Sequence, residues 1–277
     1  MSAPLRLYRT ARGPVVESGG AFVRLDEEWD ALVNRAALEA HLRAAVARGP
    51  ARPSLDEPPL APAAGQEIWG AGVTYDRSRA ARLEESEQAG GASFYDRVYE
   101  AERPELFFKC AGWRARGPGQ AVRIRRDARW SVPEPELALV INARAEIVGW
   151  TIGDDLSARD IEAENPLYLP QAKIWDGACA LGPAVLVVAG PLPPDTPITL
   201  RVVRAGAAVF EGGTTPARMR RDPAQLVAWL YRETSFPAGC VLLTGTGIVP
   251  PNDFALRAGD AIEIHVPPVG TLSSRVE

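Results

Sequence analysis

From residue 67 onward the chain is cut into short runs of Val, Ile and Leu separated by Gly and Pro, and this punctuation limits what it can become. Proline fixes φ and removes a backbone donor, so such runs cannot merge into long helices or cross a sheet centre unbroken. Runs at 121–124, 137–141, 147–152, 184–188, 198–203, 240–243 and 261–266 have the length and β-branched content of strands. One helix is predicted among them, over 223–233. Because strand follows strand with so little helix between, the pattern predicts an antiparallel or mixed β-rich domain rather than an alternating βαβ one.

The beginning of the chain reads differently. A strand over 4–8, a turn at Gly19-Gly20, a second strand and a helix over about 26–48 make a small α/β module. Pro50, Pro53, Pro58, Pro59 and Pro62 then form a stiff connector. The expected organisation is α+β, with a small N-terminal domain and its Pro-rich linker over 1–64 and a β-rich domain over 65–277. The segment 77–105 is dense in charge, with Arg82, Glu84, Glu85 and Glu87 before Gly90-Gly91, and Asp96, Arg97, Glu100 and Glu102 after it. It reads either as two solvated helices around a hinge or as a lid over a site.

Charge and composition exclude several classes. With 31 basic and 35 acidic residues the formal charge is −4, so no nucleic-acid partner is expected. The best apolar stretch, 178–192, is broken by Pro183 and Pro191 and falls short of the ~18 residues of a membrane span. Met1-Ser2-Ala3-Pro4-Leu5-Arg6 lacks the apolar core of a signal peptide. Cys110, Cys179 and Cys240, odd in number, read as reduced thiols, and a cytoplasmic location is expected.

Two scarcities narrow the chemistry. His41 and His265 are the only histidines, which rules out a three-His zinc site; both lie in stretches that read as structural. Of the 31 basic residues, only Lys109 and Lys173 are lysine. Either this is chance in an Arg-rich chain, or these two sites need a compact ammonium that a guanidinium cannot replace. No P-loop and no Gly-x-Ser-x-Gly elbow is present.

The carboxylates say more. Pro135 pushes Glu134 toward extended geometry, and residues two apart on an extended chain point the same way. Glu134 and Glu136 should therefore share a face. The next strand ends at Gly153-Asp154-Asp155, which can bring a third carboxylate to the same end. Three carboxylates without a nearby His or Cys suit a hard divalent ion, Mg²⁺ ahead of Mn²⁺ or Ca²⁺. The plainer reading is a solvated acidic strand end.

Glu134-Pro135-Glu136, the run from Thr151 through Asp154-Asp155-Leu156-Ser157-Ala158-Arg159-Asp160, Lys173, Gly182-Pro183 and Thr244-Gly245-Thr246 together resemble the fumarylacetoacetate hydrolase superfamily. The resemblance runs from about residue 67 to the C-terminus. It implies a mixed β-roll catalytic domain, Mg²⁺ on Glu134, Glu136 and Asp155, and a 2-oxo acid substrate. Stretches at 73–75, 82–86, 98–105, 130–137 and 164–171 are similar to the members that dehydrate 2-keto-3-deoxy pentonates. Hydrolytic members carry Asn-Tyr-x-x-His-x-x-Glu, whose His and Glu activate water. Here Ser78 stands in the His slot and Ala81 in the Glu slot. The resemblance thus implies a Mg²⁺-dependent hydro-lyase giving 2,5-dioxopentanoate, a small-molecule sugar-acid partner, and a homo-oligomer, dimer or tetramer. It implies Glu105 as the proton-transfer residue and Lys173 as the partner of the substrate carboxylate or enolate oxygen. Lys109 is expected near the substrate or supporting the metal ligands. Thr246 and Tyr75 are expected to bind substrate, and Arg159 and Asp160 to brace the metal-bearing turn. The competing readings are an acylpyruvate hydrolase or oxaloacetate decarboxylase on the same scaffold, and a sugar-acid-binding protein without catalysis.

Overall fold

The computed structural model describes residues 3–78 and 97–277. The hinge at Gly90-Gly91, Ala81 and most of the charged stretch lie outside the described residues. The N-terminal strands are β1 (Leu5–Tyr8), β2 (Val15–Ser18) and β3 (Ala21–Arg24). There follow β4 (Glu67–Gly72), β5 (Glu105–Ala111), β6 (Ala121–Val122), β7 (Ser131–Val132), β8 (Pro135–Ile141), β9 (Ile147–Asp155) and β10 (Ser157–Ala158). The last six are β11 (Cys179–Leu186), β12 (Ile198–Arg204), β13 (Ala207–Thr214), β14 (Cys240–Leu243), β15 (Ala261–Val266) and β16 (Gly270–Val276). The helices are short: α1 (Trp29–Val33), α2 (Leu38–Arg48), α3 (Arg159–Glu164), α4 (Leu169–Lys173) and α5 (Pro223–Leu230).

Nine strands form one mixed sheet in the order β3-β2-β1-β11-β9-β8-β14-β4-β5. Every neighbouring pair in it is antiparallel except β14 with β4. A second sheet runs β13-β12-β15-β16-β6, and β7 pairs with β10. The α+β class and its mixed sheets agree with the strand-rich pattern of the sequence. None of the described helices is long and apolar enough to cross a membrane.

Central β8 is buried along its whole length, because both of its faces are covered. Leu137, Leu139 and Ile141 enter the main core with Leu200, Ile262 and Ile264 of the second sheet. Val140 on the opposite face joins Leu32, Leu42 and Val185 beneath the N-terminal helices. Burying a side chain of this size contributes about 1.5–3 kcal/mol, so these strands are the fixed frame of the molecule.

The N-terminal strands extend the large sheet, since β1 pairs with β11 at Arg6↔Leu186 and Leu7↔Val185. The single helix expected over 26–48 is two. The break falls at 34–37, where Ala37 takes a left-handed φ of 51°. Asn34 is held there by tertiary contacts: its side-chain amide donates to Asp30 O at 2.8 Å, and its carbonyl oxygen accepts from Ala143 N at 2.6 Å.

The registers gather chemistry at one end of the central strands. Gly72, the last residue of β4, faces Glu105, the first of β5. Asp154 near the end of β9 faces Pro135 at the start of β8, and Cys179 at the start of β11 faces Asp155. The Thr244-Gly245-Thr246 turn leaves β14 at this same end, because β14 runs antiparallel to β8 and parallel to β4.

Candidate active site

Glu134, Glu136 and Asp155 meet as the alternation across Pro135 predicted. One carboxylate oxygen from each lies within 4.8 Å of the others, and all three side chains are buried. With Glu105, Phe107 and Thr246 they line a cavity of about 20 Å³. A water-sized sphere needs ~10–15 Å³, so the space admits an ion. A larger cavity of about 530 Å³ among Arg9, Glu27 and Trp29 shares none of these residues.

The two lysines are both committed to this centre. Lys173 Nζ donates to Glu134 Oε2 at 2.8 Å, Asp155 Oδ2 at 3.2 Å and Ser157 Oγ at 2.6 Å, which uses all three ammonium hydrogens. Lys109 Nζ is paired with Asp155 Oδ1 and donates to Leu156 O at 2.9 Å and Lys173 O at 2.5 Å. A compact donor that reaches three acceptors in different directions is what a planar guanidinium cannot mimic. Lys109 is wholly buried behind the ligands and does not line the cavity, so its position is that of a support for Asp155.

Arg159 Nη2 donates to Glu134 Oε1 at 2.7 Å, so it braces a ligand directly. Asp160 instead accepts from Arg129 N at 2.7 Å. Tyr75 is buried outside the cavity lining, and burial with Glu136 nearby holds its phenol well above its ordinary range. Ser78 lines the cavity and donates to Tyr75 O at 2.8 Å. His41 and His265 are remote from all of this: they bond Glu27 at 2.6 Å and Thr271 at 2.9 Å.

Glycines let the walls close. A β-carbon on Gly72 would lie 2.2 Å from Glu105 Oε2, so the Glu105 carboxylate occupies space that only glycine leaves free. Gly245, at φ +91°, donates its N–H to Glu136 Oε2 at 2.5 Å, and a β-carbon there would sit 2.0 Å from Thr74 Oγ1. Thr246 Oγ1 donates to Ile248 O at 3.2 Å.

Two buried acids were not singled out from the sequence. Asp154 accepts from Glu134 N at 3.1 Å; burial, and then Asp155, push its carboxyl up to about 7. Glu162 lies 3.9 Å from Arg159 Nε and 4.0 Å from Lys173 Nζ. The Arg159–Glu162 spacing of three along a helix was the available signal for the second. Burial, together with Asp155 and Glu134, holds Glu136 well above the usual carboxylate range, and Lys173 relieves it only in part.

Five buried carboxylates (Glu134, Glu136, Asp154, Asp155, Glu162) crowd into this centre with the buried cations Lys109, Arg159 and Lys173, and Glu136 and Asp154 stay above the usual carboxylate range although Lys173 and Lys109 relieve them in part. Buried like charges are costly unless neutralised. A divalent cation at the three-carboxylate point neutralises them, with the hard oxygen donors that Mg²⁺ prefers.

The sequence from 68 to 277 matches the family model described as fumarylacetoacetate (FAA) hydrolase C-terminal. The chain belongs to the fumarylacetoacetate hydrolase family. It is 44% identical over 215 residues to a 2-dehydro-3-deoxy-D-arabinonate dehydratase of Saccharolobus solfataricus, covering 76% of this chain and 72% of that protein. A Haloferax volcanii protein named "Probable 2-keto-3-deoxyxylonate dehydratase" is 42% identical over 223 residues, covering 80% and 76% of the two. A solved structure of a 2-keto-3-deoxy-D-arabinonate dehydratase complexed with magnesium and 2,5-dioxopentanoate superposes with a TM-score of 0.83 at 34% identity, over 99% of this chain and 98% of the other.

Proposed function

We propose that this family member is a Mg²⁺-dependent hydro-lyase that converts 2-dehydro-3-deoxy-D-arabinonate to 2,5-dioxopentanoate. The observation that carries the reading is the buried Glu134–Glu136–Asp155 cluster, three hard oxygen donors at one point, in a chain 44% identical to a dehydratase of that substrate. Residues 65–277 form the catalytic domain in this reading, with 1–64 as a small module. A divalent ion bound by the three carboxylates would supply Lewis-acid polarisation of the substrate's 2-oxo group.

The chain's own groups do the rest. Glu105, at the cavity wall beside Phe107 in partly buried surroundings, takes the C3 proton and returns a proton as the C4 hydroxyl leaves as water. Moving a proton from C5 to C3 then gives the C4–C5 enol, which becomes the C5 aldehyde as its hydroxyl proton is lost and C4 is protonated. Lys173 and Lys109 hold Glu134 and Asp155 in place, and Lys173, on the cavity wall, sets its positive charge beside the oxygen that gains negative charge. Thr246, on the cavity wall, turns its hydroxyl hydrogen from Ile248 O to the substrate carboxylate, and Tyr75 shapes the far side of the site through Ser78.

The same reading puts the enzyme in the cytoplasm as a homo-oligomer, dimer or tetramer. Its three cysteines are free thiols, and Trp113 and Leu167 stand 72% and 83% exposed, apolar surface that a second copy would cover. The test is substrate discrimination. A serine in place of a general-base histidine has no accessible pKa near neutrality, so acetylpyruvate should stay uncleaved while the sugar acid is dehydrated under the same Mg²⁺ conditions. Rapid acetylpyruvate cleavage without dehydration would assign the protein to the hydrolases instead.

A further inference from the structure

A separate cavity of about 700 Å³ is lined by Arg116, Arg123, Ile124, Arg125, Arg126 and Glu277, and shares no residue with the carboxylate centre. Its density of positive charge is hidden in a chain whose formal charge is −4. Arg125 is engaged, with Nε 2.6 Å from Asp127 and Nη1 donating to Gln171 O at 2.8 Å. The guanidiniums of Arg116, Arg123 and Arg126 make no hydrogen bond or ion pair among the described residues, and Arg116 Nε is shut away from solvent without a partner. A space of this volume is roughly 11 Å across, about one Debye length at 0.1 M salt, so these charges act on one another and on any ion between them.

The backbone holds the arginines in place. Arg116 N donates to Cys179 O at 2.9 Å, and Arg116 O accepts from Leu181 N at 2.9 Å, which fixes it to β11. Arg123 N donates to Gly177 O at 3.0 Å, and Arg123 O accepts from Trp175 Nε1 at 2.7 Å. Unpartnered planar forks on a fixed frame match the several oxygens of a phosphate group, each fork able to take two. A single carboxylate would satisfy one fork and leave the others repelling. An apolar ligand would find only Ile124 and Ala128 as walls.

We propose that this cavity is a binding site for a small molecule bearing a di- or triphosphate, held by Arg116, Arg123 and Arg126. The test uses the full chain freed of metal with chelator and dialysed, so that the probe, inorganic pyrophosphate, cannot bind through a metal ion. Titration calorimetry at 150 mM salt should show one saturable site. Arg116→Gln with Arg126→Gln should weaken it at least tenfold while leaving sugar-acid turnover unchanged. The single change at exposed Arg126 gives the same direction with less risk to folding. Equal affinity in wild type and variant, or no binding at millimolar pyrophosphate, overturns the proposal. So does a double-stranded DNA 20-mer that binds the patch more tightly per phosphate than pyrophosphate does. Loss of an oligomer in the double variant by sedimentation would make the patch a subunit contact and would overturn it as well.

Discussion

Replacing Glu136 with Gln should have opposite effects on metal binding and on the stability of the metal-free protein. The carboxylate is buried against Asp155 and Glu134, and those neighbours with burial hold its pKa up, so its charged form is unfavourable when no cation is present. Gln keeps the size and keeps an oxygen to accept the 2.5 Å bond from Gly245 N, but removes an ionisable carboxyl from among like charges. Replacing poorly compensated buried charge with a neutral group of equal volume typically stabilises by about 1–4 kcal/mol. The lower half of that range applies here because Lys173 already relieves Glu136 in part. About 1–2 kcal/mol raises the melting temperature of a chain this size by roughly 2–6 °C. The sign with pH follows from the raised pKa. The folded protein holds the Glu136 proton more tightly than the unfolded chain, so the penalty is absent at low pH and grows as pH rises past the ordinary glutamate value of about 4.3. The advantage of the variant should therefore fade toward pH 4. The assay is thermal unfolding of chelator-treated protein, with and without added Mg²⁺. Wild type should gain stability with Mg²⁺ as RT ln(1 + [Mg²⁺]/Kd), whereas Glu136→Gln should start higher and gain little. A metal-free variant less stable than metal-free wild type, or one with a full response to Mg²⁺, would refute the charge argument.

Lys173→Arg keeps the charge but cannot reach Glu134, Asp155 and Ser157 together from one planar fork. It should lower kcat/KM for the sugar acid by at least about 100-fold, since misplacement of a reacting group by about 1 Å has that effect. Near wild-type turnover would return the lysine scarcity to chance. Gly245→Ala places a β-carbon 2.0 Å from Thr74 Oγ1 at φ +91°, so urea unfolding should show a loss of about 2–4 kcal/mol from strain plus overpacking. Gly259→Ala, at φ +90° with nothing within 4 Å, should lose only the strain of about 1–2 kcal/mol.

Much of this was legible before any coordinates. The strands at Cys240–Leu243 and Ala261–Val266 have the limits their apolar runs predicted, because burial and hydrophobicity coincide there. Ala207–Thr214 went unread because it is an exposed, glycine-bearing edge strand that owes its form to pairing with β12 rather than to an apolar pattern. The helix break at 34–37 carries no Gly or Pro signal, since the contacts of Asn34 with 143–144 make it, and those contacts exist only once the β8–β9 hairpin is in place. At the site, Glu134 and Glu136 followed from a period of two across one proline. Lys109 was expected near the substrate or supporting the metal ligands; which ligand it would hold was not legible, because its pairing with Asp155 depends on β5 and β9 delivering residues 46 positions apart to one buried point. Glu162 was hidden for the same reason: only the convergence of α3 and α4 buries it beside Arg159 and Lys173.

The most direct measurement is carbon and proton NMR of 2-dehydro-3-deoxy-D-arabinonate incubated with the enzyme in D₂O, first with chelator and then with Mg²⁺ restored. With chelator the substrate should persist. On restoring Mg²⁺, 2,5-dioxopentanoate should accumulate with carbon-bound deuterium at C3 and C4, the two carbons protonated from solvent as the enone and the enol collapse. Turnover in the presence of chelator, cleavage to pyruvate and glycolaldehyde, or no conversion with Mg²⁺ would contradict metal-dependent dehydration at the Glu134–Glu136–Asp155 centre.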